Sequence, residues 1–360
     1  MDIVLLVVAF GVILLGAELF TNGIEWFGRK LQLAEGAVGS VLAAVGTALP
    51  ETMIPIIAIA FGGGASGDEG HGVGVGAILG APFMLATLAM FVTGAGVIAF
   101  RKRRATDTRM TVDTRVLVHD IRYFVVAYAI AIATAFLPPD LSAVRVAVAI
   151  GLIAMYAWYV KGHFSPEHAG EGGGEGAEGL APLRFHRLDQ PGIRQDPAVP
   201  RLRVVNLQVI VALACIVGGA YLFVDAVEHL SRTLGVDEII LALVIAPLAT
   251  ELPEKFNSLI WVRQGKDTLA MGNITGAMVF QSAIPTVVAL LFAGESWHIT
   301  GDTVIAFLSA GIAFLSVAAI FGPMWRRARL DGRSLLVGGA LYLVYLGLIA
   351  LDLAGVIGFG

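Results

Sequence analysis

The residues of this chain best suited to do chemistry stand in two similar stretches. One is Gly46-Thr47-Ala48-Leu49-Pro50-Glu51-Thr52, the other Ala249-Thr250-Glu251-Leu252-Pro253-Glu254-Lys255. Each places a proline and a carboxylate inside an apolar run, where both are costly. Proline has no N–H to give, so Pro50 leaves the carbonyl of Gly46 without its helical donor, and Pro253 does the same to Ala249. A kink or break there points freed carbonyls and the negative end of a half-helix inward. Glu51 and Glu254 follow their prolines directly, and Thr47 and Thr250 precede those glutamates by one helical turn. Carboxylates, hydroxyls and carbonyls together form an all-oxygen set, which suits a hard divalent cation such as Ca²⁺. The alternative for each glutamate is a protonated or lysine-paired structural role. For each threonine it is a hydroxyl bonded back to its own helix.

Glu251 adds a third carboxylate. Lys255 stands four residues after it, a spacing that meets on one helical face although Pro253 intervenes. A Lys255–Glu251 pair would tune Glu251 when no cation is bound; otherwise Lys255 snorkels to an aqueous surface. Asn273 and Gln281 are the polar exceptions in a later small-residue stretch, and Gln281 could offer an amide oxygen to the site. The glycines and alanines of that stretch and of its partner, Gly76, Gly80 and Ala81 against Gly272, Gly276 and Ala277, suit close helix packing.

The elements that must position these residues are membrane helices. The chain is 360 residues long, 57% hydrophobic and 14% charged, with mean hydropathy +0.81. Its apolar runs approach 20 residues along the whole length, which excludes a soluble globular domain. The two motif stretches align without a gap at an offset of 203 residues, and so do Gly16 and Gly219, Phe20 and Phe223, and Glu25 and Glu228. The expected architecture is all-α, with ten spans near 3–27, 34–61, 72–99, 116–137, 141–161, 204–230, 236–262, 267–293, 301–322 and 334–357. Five spans per copy force the second copy to enter the membrane in the opposite sense, giving inverted repeats. Inversion brings Glu51 and Glu254 together near the bilayer midplane. The domain division is 1–161 for the first repeat, 162–203 for a flexible cytoplasmic linker and 204–360 for the second repeat.

Every Lys and Arg except Arg145, Arg232 and Lys255 falls on alternate loops or their flanking helix ends, which places those loops inside and both termini outside. Trp26, Trp158, Trp261 and Trp325 are expected near the inner interface and Trp297 near the outer one. Glu18 could gate an outer ion path. The linker run Glu171–Gly179 is too polar and glycine-rich to fold alone. His163, His168 and His186 could bind a metal there, but a solvated connector is the preferred reading of the segment. Cys215 is the single cysteine, so no intrachain disulfide forms, and the N-terminus lacks the basic flank of a signal peptide. The localisation expected is the cell membrane.

The paired cores resemble the sodium/calcium exchanger branch of the cation/calcium antiporter superfamily, whose two inverted α-repeats each carry G-T-S-L-P-E followed by G-N-x-x-G-S-N. The resemblance covers essentially the whole chain. It implies that Glu51 and Glu254 correspond to the paired cation-binding glutamates, that Thr47 and Thr250 correspond to the core threonines, and that Gly46 and Ala249 offer backbone oxygens. The sequence departs from the pattern at Ala48 and Glu251 in the core. It departs again at Ala81, Pro82, Ala277 and Met278 in the later motif, and at Leu85 one turn further on. Several oxygens that would hold monovalent ions are thus absent while one carboxylate is added. Clustered carboxylates repel one another without a cation, so the cluster could take up protons as Ca²⁺ leaves.

The expected function is secondary antiport of Ca²⁺ against Na⁺ or H⁺. An antiporter for another divalent cation, or a cation-binding sensor that does not transport, are the alternatives. An enzyme is not expected, since no nucleophile motif and no helical pair of metal-ligand histidines is present. The partners expected are inorganic cations and the lipid bilayer, with no nucleic acid and no cofactor beyond the transported ions. The oligomeric state is open.

Overall fold

The computed structural model describes residues 2–30, 43–61, 69–138, 141–163, 182–188, 200–301, 303–327 and 329–357. The side chains of residues 43–49, of Ala249 and of Pro253 lie outside that description. So do two of the possible linker ligands, the side chain of His163 and the whole of His168.

The first copy is built from α1 (Asp2–Lys30), α2 (Ala43–Phe61), α3 (Glu69–Met84), α4 (Met90–Phe100), α5 (Thr114–Ala133) and α6 (Ser142–His163). A five-residue π-helical segment, Leu85–Ala89, joins α3 to α4, so His71–Arg103 forms one long span. The second copy is built from α7 (Leu202–Leu234), α8 (Glu238–Thr250), α9 (Leu252–Gln264), α10 (Asp267–Phe292), α11 (Val304–Arg327) and α12 (Gly332–Leu353). Among the described residues, eight helices are long and apolar enough to cross a membrane, and two shorter apolar helices run Pro50–Phe61 and Glu238–Leu248. The expected span boundaries fall within a few residues of these helices. The expected second span is described only from Ala43, and the expected seventh is divided into α8 and α9.

The helix termini follow from local chemistry. Asp113 and Asp331 cap α5 and α12 by accepting from the amides of Arg115 and Arg333, both at 2.8 Å. Gly235 ends α7 at φ +65° and Gly265 ends α9 at φ +77°, the left-handed conformation that a residue without Cβ adopts at no steric cost.

The inversion is visible where α1 crosses α7. A Cβ on Gly16 would lie 2.8 Å from the Ile216 side chain and 3.0 Å from the Ala212 carbonyl. A Cβ on Gly219 would lie 2.7 Å from the Ile13 side chain and 3.2 Å from the Ala9 carbonyl. These are the same contacts with the two copies exchanged, since 9, 13 and 16 shift by 203 onto 212, 216 and 219. Gly23 meets Val209 and Phe10 packs on Phe223, so advancing along one helix means retreating along the other. The helices run antiparallel about a local two-fold axis, which is the relation that inverted repeats require.

The loops sort onto two faces. On one, Arg109–Met110 pairs antiparallel with Leu330–Asp331, and Arg104 reaches Asp267. The linker turn Arg184–Leu188 docks on the same ends of α1 and α7: the Phe185 amide donates to Gln208 at 2.9 Å and the Arg184 amide to Asn22 at 3.0 Å. Glu18 meets Arg184 at 2.6 Å, so it faces the linker rather than an ion path on the opposite side. On the other face, the Ile299 amide donates to the Ala135 carbonyl at 3.1 Å and Arg145 to the Gly294 carbonyl at 2.9 Å. The loops grouped this way are the ones that alternate along the chain.

Two of the tryptophans are buried within the protein. Trp297 is fully buried and donates its indole N–H to Thr134 at 3.0 Å, and Trp26 packs on Leu183 and Val205.

Candidate functional site

The two proline-bearing segments fold differently. Pro253 breaks the second one: α8 ends at Thr250, Glu251 turns with φ −88° and ψ 7°, and α9 begins at Leu252 with the proline in its first turn. Proline suits that position because its missing N–H is one the helix does not use. The first segment runs through Pro50 and Pro55 as the single helix α2. Proline's fixed φ is helical, so the chain can continue past it with hydrogen bonds lost but no reversal.

The structure draws the acidic residues into one polar interior. Glu51, Glu251 and Glu254 are 7%, 0% and 5% exposed, and Lys255 is 5% exposed. The charges of Glu254, Glu251 and Lys255 all bear on Glu51. α10 supplies polar contacts to both copies, from Gln281 to the first and from Asn273 within the second. Gln281 donates its amide to Glu51 Oε2, and Asn273 donates to the Glu254 main-chain oxygen at 3.2 Å. Those two residues are a little over two turns apart, about 12 Å of helical rise. Lys255 Nζ sits 3.0 Å from Glu251 Oε2 and 3.4 Å from the Pro247 carbonyl. It does not snorkel.

Three buried carboxylate oxygens accept no hydrogen bond from the described residues: Glu51 Oε1, Glu251 Oε1 and Glu254 Oε2. Bare buried carboxylate oxygens are strongly unfavourable unless a cation or proton meets them. No three His, Cys, Asp or Glu side chains among the described residues converge tightly enough to hold a metal by themselves. Main-chain and amide oxygens must therefore complete any coordination shell.

The remaining expected ligands are placed unevenly. The Thr250 hydroxyl donates back to the Ala246 carbonyl at 3.1 Å, one turn earlier on α8, which leaves its lone pairs for other contacts. The Ala249 carbonyl lacks its i+4 donor because Pro253 stands there. The side chain of Thr47 lies outside the described residues, and Gly46 is described only as part of the α2 backbone. Of the departures from the exchanger pattern, Ala81, Leu85 and Met278 are buried apolar residues.

Close packing holds this interior in place. A Cβ on Gly76 or Gly80 would collide with the carbonyl oxygens of Ile239 and Leu243, so α3 lies directly on the backbone of α8.

One buried polar cluster was not anticipated. Asp120 on α5 is 1% exposed; it accepts from Tyr159 of α6 at 3.0 Å and from Thr275 of α10 at 2.6 Å. A lone aspartate within an apolar run was the available signal. Its hydrogen bonds tie three helices together.

Comparison with known proteins agrees with this geometry. The model of the sodium/calcium exchanger protein family matches residues 1–162 and 205–351. The putative antiporter CaxA of Alkalimonas amylolytica is 26% identical over 147 residues, 38% of this chain and 44% of that protein. The inner membrane protein YrbG of Escherichia coli (strain K12) is 28% identical over 167 residues, 45% of this chain and 49% of that protein. The matched region thus spans about half the length of each curated relative. The crystal structure of the H⁺/Ca²⁺ exchanger CAX superposes with a TM-score of 0.67 at 15% identity, covering 97% of this chain and 82% of that one. This likeness is one of fold. With a family match over most of its length, an antiparallel internal two-fold and buried glutamates at a broken helix, the chain belongs to the sodium/calcium exchanger family of membrane antiporters.

Proposed function

We propose that this protein exchanges Ca²⁺ for a monovalent cation, Na⁺ or H⁺, and that Glu51 and Glu254 carry the divalent ion. The observation that supports this most directly is the set of buried carboxylate oxygens without hydrogen-bond donors among the described residues, lying where Pro253 frees main-chain oxygen. A hard dication satisfies such oxygens and offsets the desolvation of two carboxylates. The Ala249 carbonyl, the Thr250 lone pairs and the Gln281 amide oxygen complete the shell, with Gly46 and Thr47 as their counterparts from α2. Alternating access follows from rocking the antiparallel pair α1 and α7 against the remaining helices. The clustering of Lys and Arg on alternate loops supports an orientation in the cell membrane with both termini outside.

Protons are the counter-ion favoured by the side chains. Ala81, Leu85 and Met278 line the core where monovalent-ion oxygens would be needed, whereas the carboxylates are retained and one is added.

Glu51→Gln and Glu254→Gln test the assignment. Each keeps the side-chain size and removes a charge that balances Ca²⁺. Either should abolish ⁴⁵Ca²⁺ flux in proteoliposomes while the purified protein keeps its elution profile and helical content. Near-normal flux in both variants would sink the assigned site.

A further inference from the structure

An arginine without a counter-charge stands on the lipid-facing flank of α5. Arg122 is exposed and makes no ion pair among the described residues. Val126 and Ile130 follow it at four-residue spacing, and both are exposed apolar side chains. On a membrane helix such a stripe meets acyl chains. Arg122 lies eight residues past Thr114, the first residue of α5, which is about 12 Å of helical rise. Side chains on a helix lean toward its N-terminus, so the guanidinium points back to the membrane surface. A charge at that depth is costly unless it snorkels to an anion there.

The fold provides a place for that anion. Further along, α5 and α11 pack closely: Phe314 lies against Phe124 and Tyr128, with ring centroids 6.1 and 5.4 Å apart. Near the start of α5 and the end of α11, a cavity of about 320 Å³ opens between them. Thr114, Val118 and Arg122 line it from α5, and Met324 and Trp325 from α11. The ladder between Arg109–Met110 and Leu330–Asp331 joins the chain just beyond these two helix ends, which fixes both walls. The lining is amphipathic. A guanidinium and a hydroxyl suit phosphate oxygens, Val118 and Met324 suit the apolar part of a lipid, and the exposed indole of Trp325 suits the interface. Arg115 and Arg326 adjoin Thr114 and Trp325 in sequence and are both exposed, so the rim favours a headgroup of net negative charge. The neighbouring carboxylate, Asp113, is engaged by the Arg115 amide as the helix cap. We propose that this cavity binds the phosphate of an anionic phospholipid, with Arg122 as its principal ligand. The site stands apart from the carboxylate interior and from the identity of any transported ion.

The test is native mass spectrometry of the purified full-length protein titrated with phosphatidylglycerol, with phosphatidylcholine or with inorganic phosphate. A first phosphatidylglycerol is expected to bind more tightly than those that follow, in preference to phosphatidylcholine and without displacement by inorganic phosphate. Arg122→Gln should weaken that first step about tenfold or more, the scale of a lost charge-assisted hydrogen bond. Arg115→Gln removes the same charge from the rim and leaves the lining intact, so it should weaken the step less. Equal binding of phosphatidylcholine, displacement by inorganic phosphate, wild-type binding by Arg122→Gln, or an equal loss in Arg115→Gln overturns the proposal. A second measurement needs no substituted protein. Wild-type protein photolysed with a phosphatidylglycerol that carries a diazirine near its headgroup should be labelled within residues 114–122 or at residues 324–325. Labelling confined to other segments overturns the proposal as well, so a variant that fails to fold leaves it testable.

Discussion

Gln281 holds Glu51 from the opposite repeat, and it is the only described residue that hydrogen-bonds to that carboxylate. Removing the amide leaves both Glu51 oxygens bare in the interior, a desolvation cost of about 1–3 kcal/mol. Gln281→Leu should lower the thermal midpoint in detergent accordingly and reduce Ca²⁺ flux. A variant with wild-type midpoint and flux would show that the contact contributes nothing. The burial of Glu51 and Glu254 was legible in the sequence because each stands within an apolar run at an equivalent position of the two repeats. The Glu251–Lys255 pair was legible as a spacing, but which way Lys255 turns depended on packing from other helices. Asp120 escaped notice because its partners Tyr159 and Thr275 are distant in sequence, and no local spacing reports such a contact.

The loops on the basic face are fastened by a buried ion pair between elements. Arg104, just past α4, donates to both Asp267 oxygens at 2.8 and 2.6 Å and to the Val262 carbonyl at the end of α9 at 2.6 Å. The Asp267 oxygen also accepts from the Thr111 amide at 2.7 Å. Both side chains are almost completely buried. Arg104→Ala strands the aspartate and should cost about 3–5 kcal/mol, seen as a large drop in the unfolding midpoint; an unchanged midpoint would contradict the role. Gly80→Ala should also destabilise, because its new methyl meets the Leu243 carbonyl rather than a side chain that can yield. The helices themselves were legible from apolar runs, and the break before Pro253 from proline chemistry. The unbroken α2 was not legible, since nothing local distinguishes a proline that a helix absorbs from one that ends it. The ion pair was hidden because Arg104 reads only as one more basic loop residue.

Across the whole molecule, a gap-free offset of 203 residues became a physical two-fold axis, with Gly16 on Ile216 and Gly219 on Ile13. Sequence could reveal this because each copy must supply the same small residue at the same crossing. The sidedness of the loops follows from the same symmetry. Cysteines placed at Ser165 and Ser296 in a Cys215→Ala background should therefore label from opposite sides of the membrane; labelling of both from one side by an impermeant reagent would contradict the inverted arrangement. The central claim is antiport of Ca²⁺ against a monovalent cation, and the most direct measurement is ⁴⁵Ca²⁺ flux by the wild-type protein in proteoliposomes under separately imposed Na⁺ and pH gradients. We expect Ca²⁺ to move against its own gradient when one of these is imposed, with the pH gradient the more effective. Ca²⁺ movement that ignores both gradients, or no movement at all, would contradict the account.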